Sequence, residues 1–468
     1  MTLELLISLD RGRPSLKAQV EEQLRGAVRD ERLAPGSALP SSRGLATELG
    51  VSRGVIVEAY AQLVAEGYLV TRRGGATRVA QAASPGARAL PAPVAERPPR
   101  FDFRPGGPDV SLFPRDVWLA SLRRALRSAP DVRLDYGDPR GAPELRMALA
   151  SYLGRVRGAA CDPERVIVTS GMAQGMALLG RTLVARGGRR IGVEDPSSGP
   201  GRMQLGSTGL ETVPIEVDEE GLRVERLGAH GLLDAVMVTP AHQFPLGVVL
   251  SPTRRALLAE WAAAADVLVL EDDYDSEYRY DRAPVGALQG LAPERVLYAG
   301  SVSKTLAPGL RLGWMVAPER IAADLVAAKE RDDLGTPVVE QLALADFLER
   351  GELDRHLRRT RGVYRRRRDT LVAALAARLP DWEPAGIAAG LHLVALLPSG
   401  SDEAAVVAAA RERGIALSGL AEHSVAPRRP ALLLGYGRIA EAAIAAGVEE
   451  LAAGYAAAGR ARRRGDSA

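Results

Sequence analysis

Six short apolar runs alternate with longer stretches of helical character between residues 166 and 316. The runs are Val166–Thr169, Ile191–Glu194, Val236–Thr239, Val267–Leu270, Val296–Ala299 and Leu312–Val316. Apolar runs of strand length that alternate with helices are typical of a mostly parallel β-sheet with helices on both faces. The pattern therefore predicts an α/β domain over residues 101–468.

The chain has 468 residues, which is enough for about three domains at roughly 100–200 residues each. Its content of 46% apolar and 25% charged residues excludes wholesale disorder. No apolar run approaches the ~20 residues that cross a bilayer, and the first residues lack a secretory signal pattern. We therefore expect a cytoplasmic protein without a membrane partner. Cys161 is the single cysteine, which excludes an internal disulfide and a cysteine-cluster metal site, so we assign no metal.

Arginine supplies nearly all of the positive charge. Of the 61 basic residues only Lys17, Lys304 and Lys329 are lysines, which leaves 58 arginines. A net charge of +3 in so arginine-rich a chain says little about binding to nucleic acid. The scarcity of lysine does draw attention to Lys304, which follows one of the apolar runs.

Residues 81–100 separate the α/β region from a smaller N-terminal segment. This stretch is rich in Pro, Ala and Arg and has no periodicity, which indicates an extended, semi-rigid linker. The predicted organisation is a first domain over residues 1–80, a linker over 81–100 and a large domain over 101–468.

The first domain combines helical patterns with turns. The predicted elements are a helix over 15–31, a short helix capped by Ser41, a longer helix capped by Ser52 and a basic hairpin over 68–79. Two short helices joined by a tight glycine-containing turn and followed by a hairpin are typical of a winged helix-turn-helix. On this order of elements alone, a helical dimerisation module remains an alternative to a DNA-binding domain.

The run LPSSRGLATELGVSRGVIVEAYAQLVAEGYLVTRRGGATRV, from Leu39 to Val79, resembles the GntR family of bacterial winged-helix regulators. The resemblance implies that this mainly α-helical head binds a double-stranded DNA operator, with the start of its recognition helix in the major groove. The residues that would face the DNA are Arg43, Ser52, Arg53, Gly54, Arg72, Arg73 and Gly74. Gly54 and Val55 stand where the family often has hydroxyl residues, so we expect backbone contacts there.

Polar residues follow three of the apolar runs, where ligands gather in open α/β sheets. They are Glu271 to Tyr274 after one run, Gly300 to Lys304 with Arg311 after another, and Ser170 to Gln174 after a third. Pyridoxal phosphate needs a lysine amine, a carboxylate for its ring nitrogen and a phosphate cradle. Pattern alone leaves a solvated lysine and an ion-paired aspartate as alternatives.

Five ordered motifs in residues 101–450 resemble the fold-type I aminotransferases. They are FDFRPGGPDVSLFP, YGDPRGAPELRMALASYL, TPAHQFPLG, EDDYDSEYRY and YAGSVSKTLAPGLRLGW, which start at Phe101, Tyr136, Thr239, Glu271 and Tyr298. Together with the GntR-type head, this arrangement resembles the MocR family of regulators. The resemblance implies a small C-terminal α+β subdomain over about 340–468, the cofactor pyridoxal 5'-phosphate, and a head-to-tail homodimer with the pocket at the subunit interface.

The same resemblance implies a role for each cofactor residue. Lys304 would carry the cofactor as a Schiff base, Asp272 would keep the ring nitrogen protonated, and Tyr274 would hydrogen-bond the ring oxygen. The residues that would hold the phosphate are Ser301, Ser303, Arg311 and the turn of Gly171, Met172 and Ala173.

Two departures from the aminotransferase pattern concern the effector. Ser198 stands where relatives place an aromatic residue that stacks on the ring, and Leu433 stands where an arginine grips the substrate carboxylate. Arg428, Arg429 and Arg438 are possible substitutes that spacing cannot distinguish.

The sequence therefore predicts a pyridoxal-phosphate-dependent transcriptional regulator that senses an amino compound or the cofactor itself. The two departures favour the cofactor as signal, or an effector without a simple carboxylate. An active aminotransferase with an appended DNA-binding head is the rival from another class, although loss of the carboxylate arginine argues against efficient turnover. A scaffold that binds no cofactor is the third alternative.

Overall fold

The computed structural model describes residues 7–12, 15–71, 75–81, 98–281 and 285–465, with side chains as far as residue 459. The chain divides into two compact units, residues 1–97 and 98–468. Arg72, Arg73, Gly74 and most of the predicted linker lie outside the described residues. No helix in the described ranges is long and apolar enough to cross a membrane.

The first unit contains three helices and a two-stranded antiparallel hairpin. These elements are α1 (Leu16–Arg29), α2 (Ser42–Leu49), α3 (Arg53–Ala65), β1 (Leu69–Val70) and β2 (Arg78–Val79). Leu24, Leu45, Ile56 and Leu63 are almost fully buried in their shared core. This is the winged helix-turn-helix that the sequence predicts.

The ends of α2 are fixed by local chemistry. The Oγ of Ser41 accepts a hydrogen bond from the backbone N–H of Gly44 at 3.1 Å, and Gly50 closes the helix in the left-handed conformation, with φ 62°. Ser52 stands at the N-cap position of α3, but its hydroxyl makes no capping bond. The prediction of a side-chain cap by Ser52 is therefore wrong, and this exposed hydroxyl is not used within the helix start.

An eight-stranded sheet forms the centre of the second unit. Its strands are β4 (Val166–Thr169), β5 (Arg190–Asp195), β6 (Glu211–Asp218), β7 (Gly221–Leu222), β8 (Ala235–Val238), β9 (Leu268–Asp273), β10 (Val296–Ser301) and β11 (Gly313–Val316). Their spatial order is β4-β11-β10-β9-β8-β5-β6-β7. The neighbours from β10 to β6 run parallel, whereas β11 and β7 run antiparallel to their partners.

Helices cover both faces of this sheet. They are α4 (Arg115–Ser128), α5 (Pro143–Arg157), α6 (Met172–Ala185), α7 (Gly199–Gly206), α8 (Pro252–Ala264), α9 (Glu319–Asp333) and α10 (Val338–Glu349). Successive side chains of a strand point to opposite faces, so Leu270 packs in the cluster of Leu178 from α6, and Val269 packs in the cluster of Leu258 from α8. The strands that correspond to the six apolar runs are thus buried on both faces, as those runs predict.

The reversed strand β11 brings distant residues together. Because β11 runs antiparallel to both β10 and β4, its start lies at the edge where those two strands end. Arg311, just before β11, therefore lies at the same edge as Lys304 after β10 and Gly171 after β4. Asp272 reaches this edge as part of β9, not after the strand as the sequence analysis expects.

A C-terminal lobe, residues 352–465, combines helices with a second sheet. Its elements are α11 (Glu352–Arg378), β12 (Glu383–Ala385), β13 (His392–Leu396), α12 (Glu403–Glu412), β14 (Ile415–Ala416), β15 (Ser418–Gly419), β16 (Ala431–Gly435) and α13 (Glu441–Gly465). Four of these strands form an antiparallel sheet in the order β12-β13-β16-β15. The strand β3 (Phe101–Asp102) pairs in parallel with β14, so the first residues of the unit belong to this lobe in space.

The close approach of three strand ends predicts the effect of one substitution. A Cβ atom added at Gly313 would lie 2.8 Å from the Cα of Gly171 and 3.0 Å from the carbonyl oxygen of Gly300. We expect Gly313→Ala to lower the free energy of unfolding by about 1–3 kcal/mol, because backbone atoms cannot move aside as a flexible side chain can. Urea denaturation measures the change.

Gly228→Ala is the matched control for this substitution. Nothing lies within 4 Å of a Cβ at Gly228, so we expect a change within about 0.5 kcal/mol. Equal stability of the two variants would contradict the close approach at Gly313.

Candidate functional site

A cavity of about 520 Å³ lies at the carboxyl edge of the large sheet. Eight residues of the predicted cofactor site line it: Met172, Ala173, Asp272, Tyr274, Ser301, Ser303, Lys304 and Arg311. The ninth, Gly171, is the residue that precedes α6 beside this wall. The fold therefore gathers at one place residues at or just after the ends of β4, β9 and β10 and just before the start of β11.

Asp272 and Lys304 are the titratable pair at the centre of the cavity. The Oδ1 of Asp272 is shielded from solvent and has no hydrogen-bond partner among the described residues. Burial, aided by the charge of Asp273, raises the pKa of Asp272 to about 7. Burial lowers the pKa of the Lys304 amine, while Asp275 and Asp272 oppose that shift. Both groups are thus displaced toward their neutral forms.

The turn before α6 has the shape of an anion cradle. Gly171 has φ 93°, and a Cβ added there would lie 2.9 Å from Nη2 of Arg311. The first N–H groups of a helix have no partner within the helix, so those of Met172 and Ala173 are available to a ligand. Gln174 fixes the turn, because its Oε1 accepts a hydrogen bond from the N–H of Ser170 at 2.8 Å.

Tyr274 is held by a buried histidine and aspartate. Nδ1 of His242 lies 3.0 Å from Oδ1 of Asp275 and 3.0 Å from the hydroxyl of Tyr274. A carboxylate only accepts, so we assign the Nδ1 proton to the side facing Asp275, within reach of the Tyr274 oxygen. The hydroxyl proton of Tyr274 then remains available to an acceptor in the cavity.

Several cavity residues were not among the predicted cofactor residues, among them Glu194, Arg202, Phe244 and His423. Burial raises the pKa of Glu194 to about 7, and the Thr239 hydroxyl donates a hydrogen bond to its Oε2 at 2.5 Å. Phe244 lies in the TPAHQFPLG motif and could have been identified from it. Arg202 and His423 come from segments without a local pattern.

The two departures from the aminotransferase pattern have structural counterparts. Ser198 lines the cavity, and its hydroxyl caps α7 by accepting a hydrogen bond from the N–H of Gly201 at 3.3 Å. Leu433 is fully buried in β16, in an apolar cluster with Val394, Leu420 and the partly buried Phe244. The position that the sequence analysis matches to the aminotransferase arginine is therefore part of an apolar cluster.

Among the described residues, the three arginines considered as substitutes do not line the cavity, although the charge of Arg438 adds to burial in lowering the pKa of Lys304. Arg428 donates hydrogen bonds to the carbonyl oxygens of Val217 and Asp195, and Arg429 pairs with Glu383 at 3.0 Å. Arg438 lies against the backbone of Gly107, where a Cβ would clash with its guanidinium, and 3.9 Å from Asp102. In the described part of the chain, none of the three lines the cavity.

The predicted DNA-facing residues of the head lie at the starts of two helices. Arg43 is in the first turn of α2, and Arg53 and Gly54 begin α3, directly after Ser52. All four are exposed, and Nε of Arg53 donates a hydrogen bond to the Ser42 hydroxyl at 3.4 Å. Neither arginine has an ion-pair partner within the described residues of the head. The remaining candidates, Arg72, Arg73 and Gly74, lie outside those residues.

Both units match known families. Residues 16–79 match the bacterial regulatory proteins of the gntR family, and residues 109–450 match aminotransferase class I and II. The solved kynurenine aminotransferase of Pyrococcus horikoshii superposes with a TM-score of 0.70 at 28% identity, covering 76% of this chain and 90% of that chain. The alpha-aminoadipate aminotransferase LysN of Thermus thermophilus was solved with N-(5'-phosphopyridoxyl)-L-leucine. It superposes with a TM-score of 0.69 at 26% identity, covering 76% of this chain and 92% of that chain.

Two relatives that match across both units are named as regulators. The HTH-type pyridoxine biosynthesis transcriptional regulator PdxR of Corynebacterium glutamicum is 38% identical over 434 residues, which cover 90% of this chain and 92% of that protein. The probable rhizopine catabolism regulatory protein MocR of Rhizobium meliloti is 32% identical over 464 residues, which cover 94% of this chain and 93% of that protein. The chain therefore belongs to the MocR-type transcriptional regulators, in which a GntR-type head precedes an aminotransferase-like domain.

Proposed function

We propose that this regulator binds pyridoxal 5'-phosphate in its aminotransferase-like unit, senses a small molecule there and binds a double-stranded DNA operator through its head. The observation that carries the proposal is the convergence of Lys304, Asp272 and Arg311 on one cavity. A surface lysine or a simple ion pair would not need the buried, partnerless oxygen of Asp272.

The cavity residues fit the cofactor group by group. Pyridoxal phosphate supplies an aldehyde that takes an amine and a pyridine ring that draws electrons. Lys304 would hold the aldehyde carbon, and its lowered pKa favours the neutral, nucleophilic amine. Asp272 would accept the hydrogen bond of the ring N–H through its free Oδ1. Arg311 and the N–H groups of Met172 and Ala173 would hold the phosphate.

The head offers cations and backbone donors to DNA. Arg43 and Arg53 have no carboxylate to compete with phosphates or bases among the described residues, and the Ser52 hydroxyl is not used as a cap. Gly54 leaves the first turn of α3 without a bulky side chain, so its N–H can approach a phosphate. Arg72, Arg73 and Gly74 remain predicted wing contacts.

An exposed apolar groove supports a homodimer. Val132, Leu134, Tyr136 and Leu334 line this groove, and Tyr136 is 86% exposed. Exposed apolar side chains gathered in one place mark protein–protein contacts, and we assign a second copy of this chain to the groove. The head-to-tail arrangement stays a prediction of the family resemblance. Monomeric sedimentation at working concentration would contradict the homodimer.

The signal has two candidate forms: an amino compound that takes the place of the Lys304 amine, or the cofactor itself. Titration of the cofactor-loaded protein with amino compounds, followed by the visible absorption of the bound cofactor, separates them. A spectral change specific to one amine would contradict the cofactor as the signal.

An active aminotransferase is the second candidate function, because Lys304, Asp272 and Tyr274 all line the cavity. The burial of Leu433 in an apolar cluster argues against it, because the usual carboxylate anchor is missing. Multiple turnovers with an amino donor and a keto-acid acceptor would favour this candidate.

The cofactor proposal predicts covalent attachment at one of three lysines. Borohydride treatment of the pyridoxal-phosphate-loaded protein should leave an adduct on Lys304, as identified by mass spectrometry. Lys304→Ala should abolish the adduct and Lys17→Ala, a partly exposed surface control, should retain it. If the cofactor itself is the signal, it should change the affinity of wild type for DNA upstream of the protein's own gene by about 5- to 150-fold. Equal DNA affinity with and without cofactor would contradict the cofactor as the signal.

The raised pKa of Asp272 predicts a pH dependence in the cofactor-free protein. The folded carboxyl keeps its proton to about pH 7, whereas the unfolded one, with a pKa of 3.8, loses it earlier. The stability that Asp272 contributes therefore falls as the pH rises through this window. From about pH 5 to about pH 8, Asp272→Asn should gain roughly 1–3 kcal/mol of unfolding free energy relative to wild type. A difference that is flat with pH, measured by urea denaturation, would contradict this.

The DNA proposal predicts a loss at the start of α3. Arg53→Ala should weaken operator binding by about 1–3 kcal/mol if the guanidinium reads a base edge. If it contacts a phosphate instead, the slope of log affinity against log salt should fall by about 1. Arg32→Ala is the control, because Arg32 is exposed, pairs with Asp30 at 3.5 Å and lies outside α2 and α3. Unchanged affinity at all salt concentrations would remove Arg53 from the interface.

A further inference from the structure

The side chain of Gln174 joins the turn before α6 to the end of α9. Its Oε1 accepts a hydrogen bond from the backbone N–H of Ser170 at 2.8 Å. Its Nε2 donates to Oδ2 of Asp332 and to Oδ2 of Asp333, each at 2.8 Å. A backbone N–H only donates and a carboxylate only accepts, so these partners fix which end of the amide faces the turn.

Lys329 pairs with one of these two carboxylates from within α9. Its Nζ lies 2.6 Å from both oxygens of Asp333, one helical turn further along, and its side chain is fully shielded from solvent. The chain has three lysines and 58 arginines, and the other lysine of this unit is Lys304. An ammonium is compact, whereas an arginine would place a broad planar fork in this enclosed position. Lys329 therefore supplies a buried positive charge that is matched to Asp333.

Asp332 and Asp333 are the last two residues of α9, where carboxylates oppose the helix dipole. Asp332 pairs with Arg181 of α6 at 2.7 Å. Burial acts to raise the pKa of Asp333, but the hydrogen bonds from Lys329 and Gln174 outweigh it, so the pKa is lowered and the carboxylate stays charged. The stability of the helix alone does not account for two acids at this end.

Ser170 is held at its backbone N–H and at its carbonyl oxygen. Gln174 accepts from the N–H, and Nη2 of Arg311 donates a hydrogen bond to the carbonyl oxygen. The free N–H groups of Met172 and Ala173 follow directly in the chain, at the start of α6. Whatever fixes Ser170 therefore fixes the direction of the donors that are assigned to the phosphate.

We infer that Lys329, Asp333 and Gln174 form a relay that positions the phosphate-binding turn and gives the cavity its preference for a phosphorylated over an unphosphorylated pyridoxal. We call these three residues the Gln174 relay. The inference rests on the proposed function, because the phosphate assigned to the turn is that of the cofactor. The three residues lie behind the cavity wall, so they are positioning residues that act through Ser170.

The relay also balances negative charge behind the phosphate site. A phosphate monoester carries a charge of about −1.5 to −2 at neutral pH. Arg181 and Lys329 neutralise Asp332 and Asp333, which would otherwise repel it. Removal of the Lys329 ammonium would leave a charged carboxylate bonded to Gln174, next to the turn. Binding of a phosphate would then be weakened by repulsion as well as by loss of order.

Titration of the full chain with two aldehydes, followed by their visible absorption, tests the inference. Pyridoxal 5'-phosphate and 5'-deoxypyridoxal share the aldehyde and the ring, but the second ends in a methyl group instead of the phosphate. Wild type should bind the phosphorylated aldehyde about tenfold or more tightly, because charge-assisted hydrogen bonds are strong. Gln174→Ala and Lys329→Met should each lower that affinity about tenfold and leave the affinity for 5'-deoxypyridoxal within about twofold.

A charge-neutral double variant separates the relay from simple packing. In Lys329→Met with Asp333→Asn, the unpaired carboxylate is gone and the side-chain carbonyl at position 333 still accepts from Gln174. This variant should recover most of the affinity for pyridoxal 5'-phosphate that Lys329→Met alone loses. No recovery would contradict the charge-balancing part of the relay. If Lys329→Met does not fold, Gln174→Ala and the double variant carry the test.

Arg186→Gln is the matched control. Arg186, at the end of α6, pairs with Asp324 of α9 at 2.5 Å, so its loss breaks another contact between the same two helices without touching Gln174. This variant should keep the preference of wild type. Equal loss of affinity for both aldehydes in Gln174→Ala would overturn the inference, as would a preference that is unchanged in Gln174→Ala or lost in Arg186→Gln.

Failure of the cofactor proposal would be recognised separately. A protein whose absorption changes with neither aldehyde would refute that proposal alone. Inorganic phosphate would still test the relay in the cofactor-free protein, because a bound anion stabilises the folded state against urea. At matched ionic strength, phosphate should stabilise wild type more than Gln174→Ala. Equal stabilisation of the two proteins would refute the relay.

Discussion

The central constraint on this molecule is a carboxyl group, that of Asp272, at the end of a strand buried within the sheet. A shielded oxygen without a hydrogen-bond partner is tolerated only if a ligand supplies the partner or the group gives up its charge. The fold provides for both, because burial raises the pKa of Asp272 and the neighbouring amine of Lys304 is displaced toward neutrality as well. The turn of Gly171 before α6 and the reversed strand β11 are arranged around this pair.

Local signals were enough to predict much of the fold and the centre of the site. A strand that is buried on both faces is a continuous run of apolar residues, so each of the six apolar runs corresponds to a strand. In β6, exposed and buried residues alternate, so this strand was not predicted. The antiparallel direction of β11 depends on its neighbours, and no run of apolar residues encodes it. Lys304 stands out because lysine is rare here, but Arg202 is one of 58 arginines. His423 joins the cavity only through tertiary folding, so its loop carries no signal.

The cavity lies where a ligand can act on more than its own contacts. Its floor is built by the ends of the large sheet, and part of its wall is His423 of the C-terminal lobe. Hydrogen bonds from Ser197 and to Asp195 hold that lobe against the sheet at the same point. A small molecule bound between two such elements can shift their relative position only through contacts that differ between positions.

The burial of Leu433 has an evolutionary consequence. An arginine introduced there would enter an apolar cluster with Val394, Leu420 and Phe244, where no acid or hydrogen-bond acceptor of the cluster could receive it. An unpaired charge in such surroundings is strongly unfavourable. Acquisition of an arginine at this position therefore requires several neighbouring residues to change together.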